Sequence, residues 1–250
     1  MNDIERKKIG IVIPARLGSN RVKLKNLRLL DGKPLITYVI DSCIKSKLSN
    51  NIYVNSDSSL FKKVCDEKKI NFYLRPKLLA TSKSLIDDYI YEFICKTNYE
   101  YLVLVNPTSP FLKPDTIIAA FKFFKSNNFD SLIACEKIQT HCFYKNNAIN
   151  FEKKGQHPRS QDLEPIMALN FAVSIWDTHE FKKNYDNHKY GVYTGKLGLF
   201  PINDNEAIDI DYEEDFALAE YVMKSKDHQS KIEYPDYVNA FLNNNSNIQN

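Results

Sequence analysis

The chain has 250 residues, of which 43% are hydrophobic and 26% are charged, values that are typical of a globular protein and exclude wholesale disorder. The net charge is only +3, and Lys and Arg are spread along the chain, so neither a nucleic-acid nor a membrane partner is indicated. The five cysteines lack the CxxC spacing of a zinc site and are predicted to be reduced thiols.

The N-terminal segment predicts a strand, a loop and a helix. Charged residues lead directly into the short apolar run 9–13, so the apolar region of a signal peptide is absent and a cytoplasmic location is expected. The run ends at Pro14 and predicts a buried strand of a parallel sheet. A basic loop follows, and the helical spacing of apolar residues from Pro34 to Ile44 predicts a helix.

The same alternation continues as far as residue 135. The pattern predicts strands at 52–54, 71–74, 101–105 and 131–135, and helices near 58–69, 84–96 and 114–125. Strands that alternate with helices imply right-handed crossovers and a parallel sheet covered on both faces. The sequence therefore predicts an α/β protein with a Rossmann-like, three-layer, mostly parallel sheet.

The periodicity changes after residue 138. Residues 138–175 contain short mixed segments with His, Asn, Gly and Pro, and they predict an insertion or β-rich arm suited to a dimer contact. Strands near 170–176 and 196–202, an acidic segment at 207–215 and an amphipathic helix beyond it complete the pattern. We predict a single domain over residues 1–242, followed by a disordered, asparagine-rich tail at 243–250.

The loop after the first strand is the first candidate for a functional site. It carries Gly18, Ser19 and four cations, namely Arg16, Arg21, Lys23 and Lys25. In an open α/β sheet the ligand binds beyond the carboxyl ends of the strands, so this loop is placed to bind a polyphosphate. It matches neither GxxxxGK[ST] nor GxGxxG, and a solvated basic loop is the alternative interpretation.

The acidic segment is the second candidate. If Asp209, Ile210 and Asp211 form a strand, the two carboxylates share one face while Ile208 and Ile210 point into the core. Magnesium prefers one or two carboxylates together with substrate phosphates and water, which this pair would supply. The alternative is an exposed strand edge followed by an acidic first turn of a helix.

Two further polar segments follow predicted strands. Arg75 follows the strand at 71–74, with Thr81, Ser82 and Ser84 shortly after it, and Asn106 opens the sequence NPTSP after the strand at 101–105. Chain reversals at the carboxyl edge of the sheet should line the ligand crevice, and these side chains suit contacts with a base, a ribose or a sugar. The prolines alone are also consistent with simple turns.

These segments together resemble the acylneuraminate cytidylyltransferase family, which comprises the CMP-sialic acid synthetases and their legionaminate and pseudaminate relatives. The similarity rests on five motifs in the family's order, which are IPARLGSNRVKLKN, YLRPKLLA, NPTSPF, RSQDLEPI and AIDIDYEEDFALAE. They extend from residue 11 to residue 220 and so cover nearly the whole chain. The resemblance implies a nucleotide-diphospho-sugar transferase fold, CTP and an acidic sugar as substrates, Mg²⁺ as cofactor, and a homodimer.

The resemblance also implies roles for individual residues. CTP would be bound by the set Arg16, Ser19, Lys25, Asn26, Arg75 and Ser84, and Arg21 is similar to an arginine of the Kdo cytidylyltransferases. Asp209 and Asp211 would bind magnesium. Asn106, Arg159 and Gln161 would lie near the sugar. Catalysis would then depend on Arg16, Arg21, Lys25 and Asp211, with no general base identified.

The sequence departs from the family pattern at several positions. Asn20 stands where the family usually has Lys, and Asn106 replaces the usual Gln. Phe171 replaces a Gly in the segment Asn170-Phe171-Ala172, and Ala168 lies near the place where some sialate enzymes carry an Arg. Most of these changes lie on the side of the acceptor sugar, so the sequence specifies the nucleotide more closely than the sugar.

Two other functions are compatible with parts of the pattern. Asp209 and Asp211 could form the DxD motif of a glycosyltransferase that uses a preformed sugar nucleotide, or the chain could bind nucleotide without turnover. The histidines show neither HxxxH nor HExxH spacing and are interpreted as surface or structural residues, with the exception of His157, which lies next to Pro158 and Arg159 in the predicted acceptor loop. Trp176, on a predicted strand, is expected in the core.

Overall fold

The computed structural model describes residues 3–19, 21–202, 204–225 and 233–244. Its strands are β1 Ile9–Pro14, β2 Leu29–Leu30, β3 Lys33–Pro34, β4 Ile52–Ser56, β5 Asn71–Leu74, β6 Tyr101–Val105, β7 Ser131–Ile138, β8 Phe143–Tyr144, β9 Asn147–Ala148, β10 Ile166–Asp177 and β11 Leu197–Pro201. Its helices are α1 Asp3–Lys7, α2 Leu35–Ser46, α3 Leu60–Lys68, α4 Ile86–Lys96, α5 Pro114–Ser126, α6 Thr178–His188, α7 Glu213–Ser225 and α8 Asp236–Asn244. Among these helices, none has both the length and the apolar character that crossing a bilayer requires.

The main sheet confirms the predicted fold class. Its strand order is β11-β7-β10-β6-β1-β4-β5, and β10 runs antiparallel to both of its neighbours while the other described pairs are parallel. From β1 the chain first builds outward through β4 to β5 and then crosses to β6 on the other side of β1. The strand order therefore reverses between β1 and β6, and in open α/β sheets ligands bind at such a reversal.

Helices cover both faces of the sheet because the β1 side chains alternate between two cores. Ile11 and Ile13 belong to the cluster that packs α2, α3 and α5, whereas Val12 belongs to the cluster that packs α4 and α6. Trp176 is fully buried in the second cluster, as expected, and its indole nitrogen donates to Val192 O at 2.9 Å. Burying side chains of this size contributes about 1.5–3 kcal/mol each, so the two cores fix the layered arrangement.

The excursion from the main sheet is shorter than the predicted arm at 138–175. It contains the hairpin of β8 and β9, but residues 166–175 already belong to β10, which lies between β6 and β7. The last ten residues of the predicted arm therefore return to the sheet. Their alternation is hard to recognise in the sequence because the register of β10 shifts between Leu169 and Ser174.

The sequence pattern does not predict three of the helices. Helix α6 buries only Thr178 and Phe181, too few apolar positions to give a helical period, and it begins where the Asp177 side chain accepts from the His179 and Glu180 backbone nitrogens. Helices α1 and α8 are likewise unpredicted. Helix α8 includes residues 243–244 of the predicted tail, while residues 245–250 lie outside the described residues.

Candidate active site

A cavity of about 1000 Å³ opens at the carboxyl ends of β1, β5 and β6. The predicted site residues that line it are Arg16, Ser19, Arg21, Lys25, Asn26, Arg75, Ser84, Asn106, Asp209 and Asp211. Segments that are far apart in sequence meet here because parallel strands bring their following loops to one edge of the sheet. Asn20, a departure from the family pattern, lies outside the described residues.

The cavity has two sides of different character. The segments 14–26 and 75–89 supply the four arginine and lysine side chains of its described lining, and we call them the cationic side. Lining residues at 106–108 and 169–171 carry no formal charge, and we call them the uncharged side. Asp209 and Asp211 also line the cavity; Asp211 contacts the cationic side and Asp209 contacts the uncharged side.

The loop after β1 is fixed by the ends of the neighbouring strands. Ala15 N donates to Asn55 O at 3.0 Å, and Leu17 N donates to the Asp57 carboxylate at 3.0 Å. Arg16 extends across the cavity mouth, where its guanidinium donates to Thr81 O at 2.9 Å. These contacts preorganise the loop with its cations toward the cavity.

Asp211 accepts from two cations of that loop. Lys25 Nζ lies 3.0 Å and Arg21 Nη2 lies 2.8 Å from Asp211 Oδ1, and Lys25 Nζ also donates to Ile210 O. The Lys25 side chain is only 11% exposed, so water screens its charge weakly. The cationic loop and the acidic segment, which are almost 190 residues apart in sequence, therefore face each other in one cavity.

Asp209 contacts the uncharged side instead. The Thr108 hydroxyl donates to the Asp209 carboxylate, and Ile210 N donates to Thr108 O at 3.0 Å. Burial raises the pKa of Asp209 against the effect of the Thr108 hydrogen bond, and the negative charge of Asp211 raises it further. A divalent cation between the carboxylates would offset both the burial and the repulsion.

The acidic segment is not the strand that the sequence predicts. A 3₁₀ turn ends at Ala207. Residues 208–211 that follow have no regular secondary structure and do not pair with a neighbouring strand. The predicted alternation nevertheless holds, since Ile210 is fully buried and Asp209 and Asp211 both line the cavity. The backbone hydrogen bond from Ile210 N to Thr108 O fixes the position of this segment, as the hydrogen bonds of a sheet would fix that of a strand.

Two carboxylates of this kind fit a magnesium ion. Hard oxygen ligands suit Mg²⁺, which is usually held by one or two protein carboxylates and completed by substrate phosphates and water. No cluster of three or more His, Cys, Asp or Glu side chains suited to a metal occurs in the part of the chain that the structure describes. The carboxylates of Asp209 and Asp211 fit this pattern and would leave the remaining coordination positions of the ion to other oxygen ligands.

Arg75 is held in place by two residues that sequence reasoning missed. It is 4% exposed, and its Nε and Nη2 donate to the Asn55 side-chain and backbone oxygens at 2.7 and 2.8 Å. Its guanidinium lies 4.1 Å from the centre of the Tyr89 ring, and burial lowers the pKa of Arg75. Asn55 directly follows a predicted strand and could have been recognised as a candidate site residue. Tyr89, in contrast, has the spacing of an apolar position of a helix.

The loop after Arg75 is ordered by its hydroxyl groups. The Ser84 hydroxyl accepts from Thr81 N at 3.0 Å and donates to Leu78 O at 3.1 Å. This closes the chain into a tight turn whose residues Thr81, Ser82 and Ser84 line the cavity. Ser84 therefore both shapes the loop and presents a hydroxyl group at the site.

Two predicted acceptor residues do not line the cavity. Arg159 is exposed and forms an ion pair with Asp162 at 2.7 Å, and the backbone oxygen of Gln161 accepts from Gln139 at 3.0 Å. His157 is also absent from the lining, and its ring stacks on His141 with the ring centres 4.1 Å apart. The arm has its own contacts, which residue types alone do not reveal.

The fold and this cavity define an α/β protein with a cation-lined crevice at a reversal of the strand order, the place where open α/β sheets bind ligands. The chain belongs to the cytidylyltransferase family, whose model matches residues 10–246. It is 31% identical to the CMP-N,N'-diacetyllegionaminic acid synthase of Legionella pneumophila, over 87% of this chain and 97% of that protein.

Two further similarities differ in how much of the related protein they cover. The chain is 27% identical to an N-acylneuraminate cytidylyltransferase of Streptococcus agalactiae serotype III over 93% of its own length, and it spans 58% of that relative. In fold it is similar to a solved CMP:2-keto-3-deoxy-manno-octonic acid synthetase complexed with CTP, with a TM-score of 0.65 and 14% identity over 88% of this chain and 99% of that one. The last similarity establishes the fold alone.

Proposed function

We propose that the protein transfers CMP from CTP to the anomeric hydroxyl of an acidic 2-keto sugar of the nonulosonic acid type and releases pyrophosphate. The observation that carries the proposal is the contact of Lys25 and Arg21 with Asp211 inside one cavity. A triphosphate needs compensating positive charge, which Arg21 and Lys25 supply in this cavity, and the carboxylates of Asp209 and Asp211 would hold a metal there as well. The printed activities of the relatives from Legionella pneumophila and Streptococcus agalactiae support the choice of CTP and of the sugar class.

The cationic side would bind the nucleotide. Arg16, Arg21 and Lys25 can neutralise the triphosphate, and the planar fork of arginine suits two contacts with one phosphate group. Arg75 is already fixed by Asn55 and Tyr89, so it can contact the nucleotide without first losing side-chain freedom. Asn26 and Ser84 line the same side and offer an amide and a hydroxyl group.

The reaction requires that the two substrates are positioned and that the charge of the leaving pyrophosphate is stabilised. The anomeric hydroxyl oxygen attacks the α-phosphorus and loses its proton to water, the bond between the α-phosphorus and the oxygen that bridges to the β-phosphorus breaks, and the negative charge moves onto the leaving pyrophosphate. We assign the stabilisation of that charge to Lys25, Arg21 and Arg16, because all three line the cavity. Asp209 and Asp211 would hold Mg²⁺, which would supply charge neutralisation and lower the pKa of a bound hydroxyl group.

The proposal includes an assembly and a location. We propose a homodimer that uses the arm, because Phe143, Tyr144 and Ile149 leave large apolar side chains exposed there. The protein would act in the cytoplasm, where CTP is available, to serve the synthesis of cell-surface glycans. Neither a nucleic acid nor a membrane is required as a partner.

Pyrophosphate release tests the proposed activity directly. Each of the four nucleoside triphosphates is incubated with Mg²⁺ and with a panel of 2-keto acid sugars, and the expected result is release with CTP only. A DxD glycosyltransferase would instead consume a preformed sugar nucleotide and make no pyrophosphate from CTP. CTP binding without turnover for every acidic sugar would indicate a non-catalytic relative and would refute the proposed activity.

A further inference from the structure

Phe171 has a backbone conformation that a phenylalanine rarely adopts. Its φ is +57°, in the left-handed region, where a bulky residue without glycine's freedom is an outlier. It lies in β10 between Leu169 and Ser174, where the pairing with β7 shifts in register. Such outliers persist when surrounding structure enforces them, and they concentrate at functional sites.

The contacts on both sides of Phe171 enforce this conformation. The Asn170 side-chain oxygen accepts from Ala172 N at 3.2 Å, which closes the bulge. Ala172 O accepts from Asn106 N at 3.0 Å, which ties the bulge to the loop after β6. Phe171 is partly buried, packs against the cluster of α4 and α6, and also lines the cavity. The bulge therefore places Phe171 between that cluster and the cavity.

Phe171 lies on the uncharged side of the cavity. The lining there consists of Asn106, Pro107, Thr108, Leu169, Asn170 and Phe171, which offers amide and hydroxyl groups beside an apolar wall of Leu169 and Phe171. A triphosphate belongs against the cations of the opposite side, so this wall faces the second substrate. An apolar wall gains contact with a methyl group and gives no hydrogen bond to a hydroxyl group.

We propose that Phe171 is a specificity-determining residue that selects acceptor sugars presenting a methyl group to its ring over those presenting a hydroxymethyl group. This inference rests on the proposed function and deepens it by naming a chemical feature of the acceptor. The methyl group belongs either to a terminal deoxy carbon or to an N-acyl group, and the test separates these two sources.

The experiment uses two matched pairs of acceptors. N-acetylneuraminic acid is compared with its 9-deoxy derivative, and it is compared with N-glycolylneuraminic acid, so each pair differs by a methyl group against a hydroxymethyl group. Pyrophosphate release gives kcat/KM for each acceptor with the wild type and with the variants Phe171→Gly and Phe171→Asn. Both replacements tolerate the left-handed conformation, so the bulge is preserved while the ring is removed.

A second left-handed residue provides the matched control. Lys69 has a φ of +56° at the end of α3 and is exposed, outside the cavity lining. Lys69→Gly makes the same left-handed conformation easier to adopt without changing the lining of the cavity. It should leave every acceptor preference at the wild-type value, and circular dichroism should confirm that all variants are folded.

We expect the wild type to favour the methyl member of at least one pair by about tenfold, the scale of one small group in an apolar pocket. Both Phe171 variants should lose that preference, while KM for CTP changes by less than about twofold. An unchanged preference in the variants, a wild-type preference for hydroxymethyl, or a change confined to KM for CTP would overturn the role of Phe171 and leave the proposed function standing. A wild type that releases no pyrophosphate with any acidic sugar would overturn both.

Discussion

The two sides of the cavity are built in different ways. On the cationic side, Arg75 is almost fully buried and is held by two hydrogen bonds and an aromatic ring, and Lys25 is bonded to Asp211. On the uncharged side, Leu169 is partly exposed and Phe171 depends on a bulge that is closed by one side chain. The cationic side, to which we assign the nucleotide, is therefore preformed, whereas the uncharged side, to which we assign the acceptor, depends on fewer contacts. Substitutions on the two sides should therefore change different kinetic constants.

The largest effect should come from Asp211, which belongs to the boundary between the two sides. Asp211→Ala removes a proposed metal ligand and leaves Lys25 and Arg21 without their carboxylate partner, so kcat/KM should fall by on the order of 10³-fold or more for every acceptor. Pyrophosphate release measures this. The control Asp66→Ala changes an exposed carboxylate on α3 and should be silent, and full activity of Asp211→Ala would remove the metal assignment.

Lys25→Ala should weaken the cationic side without affecting the choice of sugar. Losing one preorganised charge contact costs about 3 kcal/mol in the transition state, or roughly 10²-fold in rate. The measurement is kcat/KM with saturating sugar. Lys23 lies on the same loop but is exposed and does not line the cavity, so Lys23→Ala is the matched control. Equal losses in the two variants would mean that only the overall charge of the loop matters.

Arg75→Lys tests whether the cationic side is preformed. Lysine keeps the charge but cannot donate to both oxygens of Asn55, so the free energy of unfolding should fall by about 1.5–3 kcal/mol and KM for CTP should rise. Chemical denaturation measures the first quantity. Arg159→Lys, at an exposed ion pair in the arm, should change stability by less than about 0.5 kcal/mol. A stable Arg75→Lys protein with unaltered KM would contradict the preformed site.

The smallest effect is expected on the uncharged side. Asn106→Gln lengthens a cavity-lining side chain by one methylene group, so sugar preference should change by about fivefold, the lower end of the range of about 1–3 kcal/mol that one methylene group is worth. KM for CTP should stay near the wild-type value, as it should in Asn50→Gln, a change at an exposed position outside the cavity. A change in KM for CTP alone would assign Asn106 to the nucleotide.

The two sides of the cavity also differ in how well they could be predicted from the sequence. Arg16, Lys25 and Arg75 could be placed in one crevice because each follows a strand whose apolar run is easy to recognise. The periodic strands and helices up to residue 135 could be predicted for the same reason, since burial on a sheet or helix face leaves a period in the sequence.

The uncharged side was harder to predict from the sequence because its geometry depends on tertiary contacts. Arg159 and Gln161 belong to a motif, but the path of the arm has no period, so their distance from the cavity could not be derived. The left-handed conformation of Phe171 follows from the bulge in β10 and is not encoded by its residue type. Tyr89 has the spacing of a core residue, and only the fold reveals that it lies beneath Arg75.

A crystal structure with a non-hydrolysable CTP analogue and Mn²⁺, whose anomalous scattering marks the metal, tests the proposed site most directly. We expect a metal peak at about 2 Å from carboxylate oxygens of Asp209 and Asp211, with the triphosphate against Arg16 and Lys25. A metal bound away from both aspartates, or a triphosphate outside the cationic side, would contradict it.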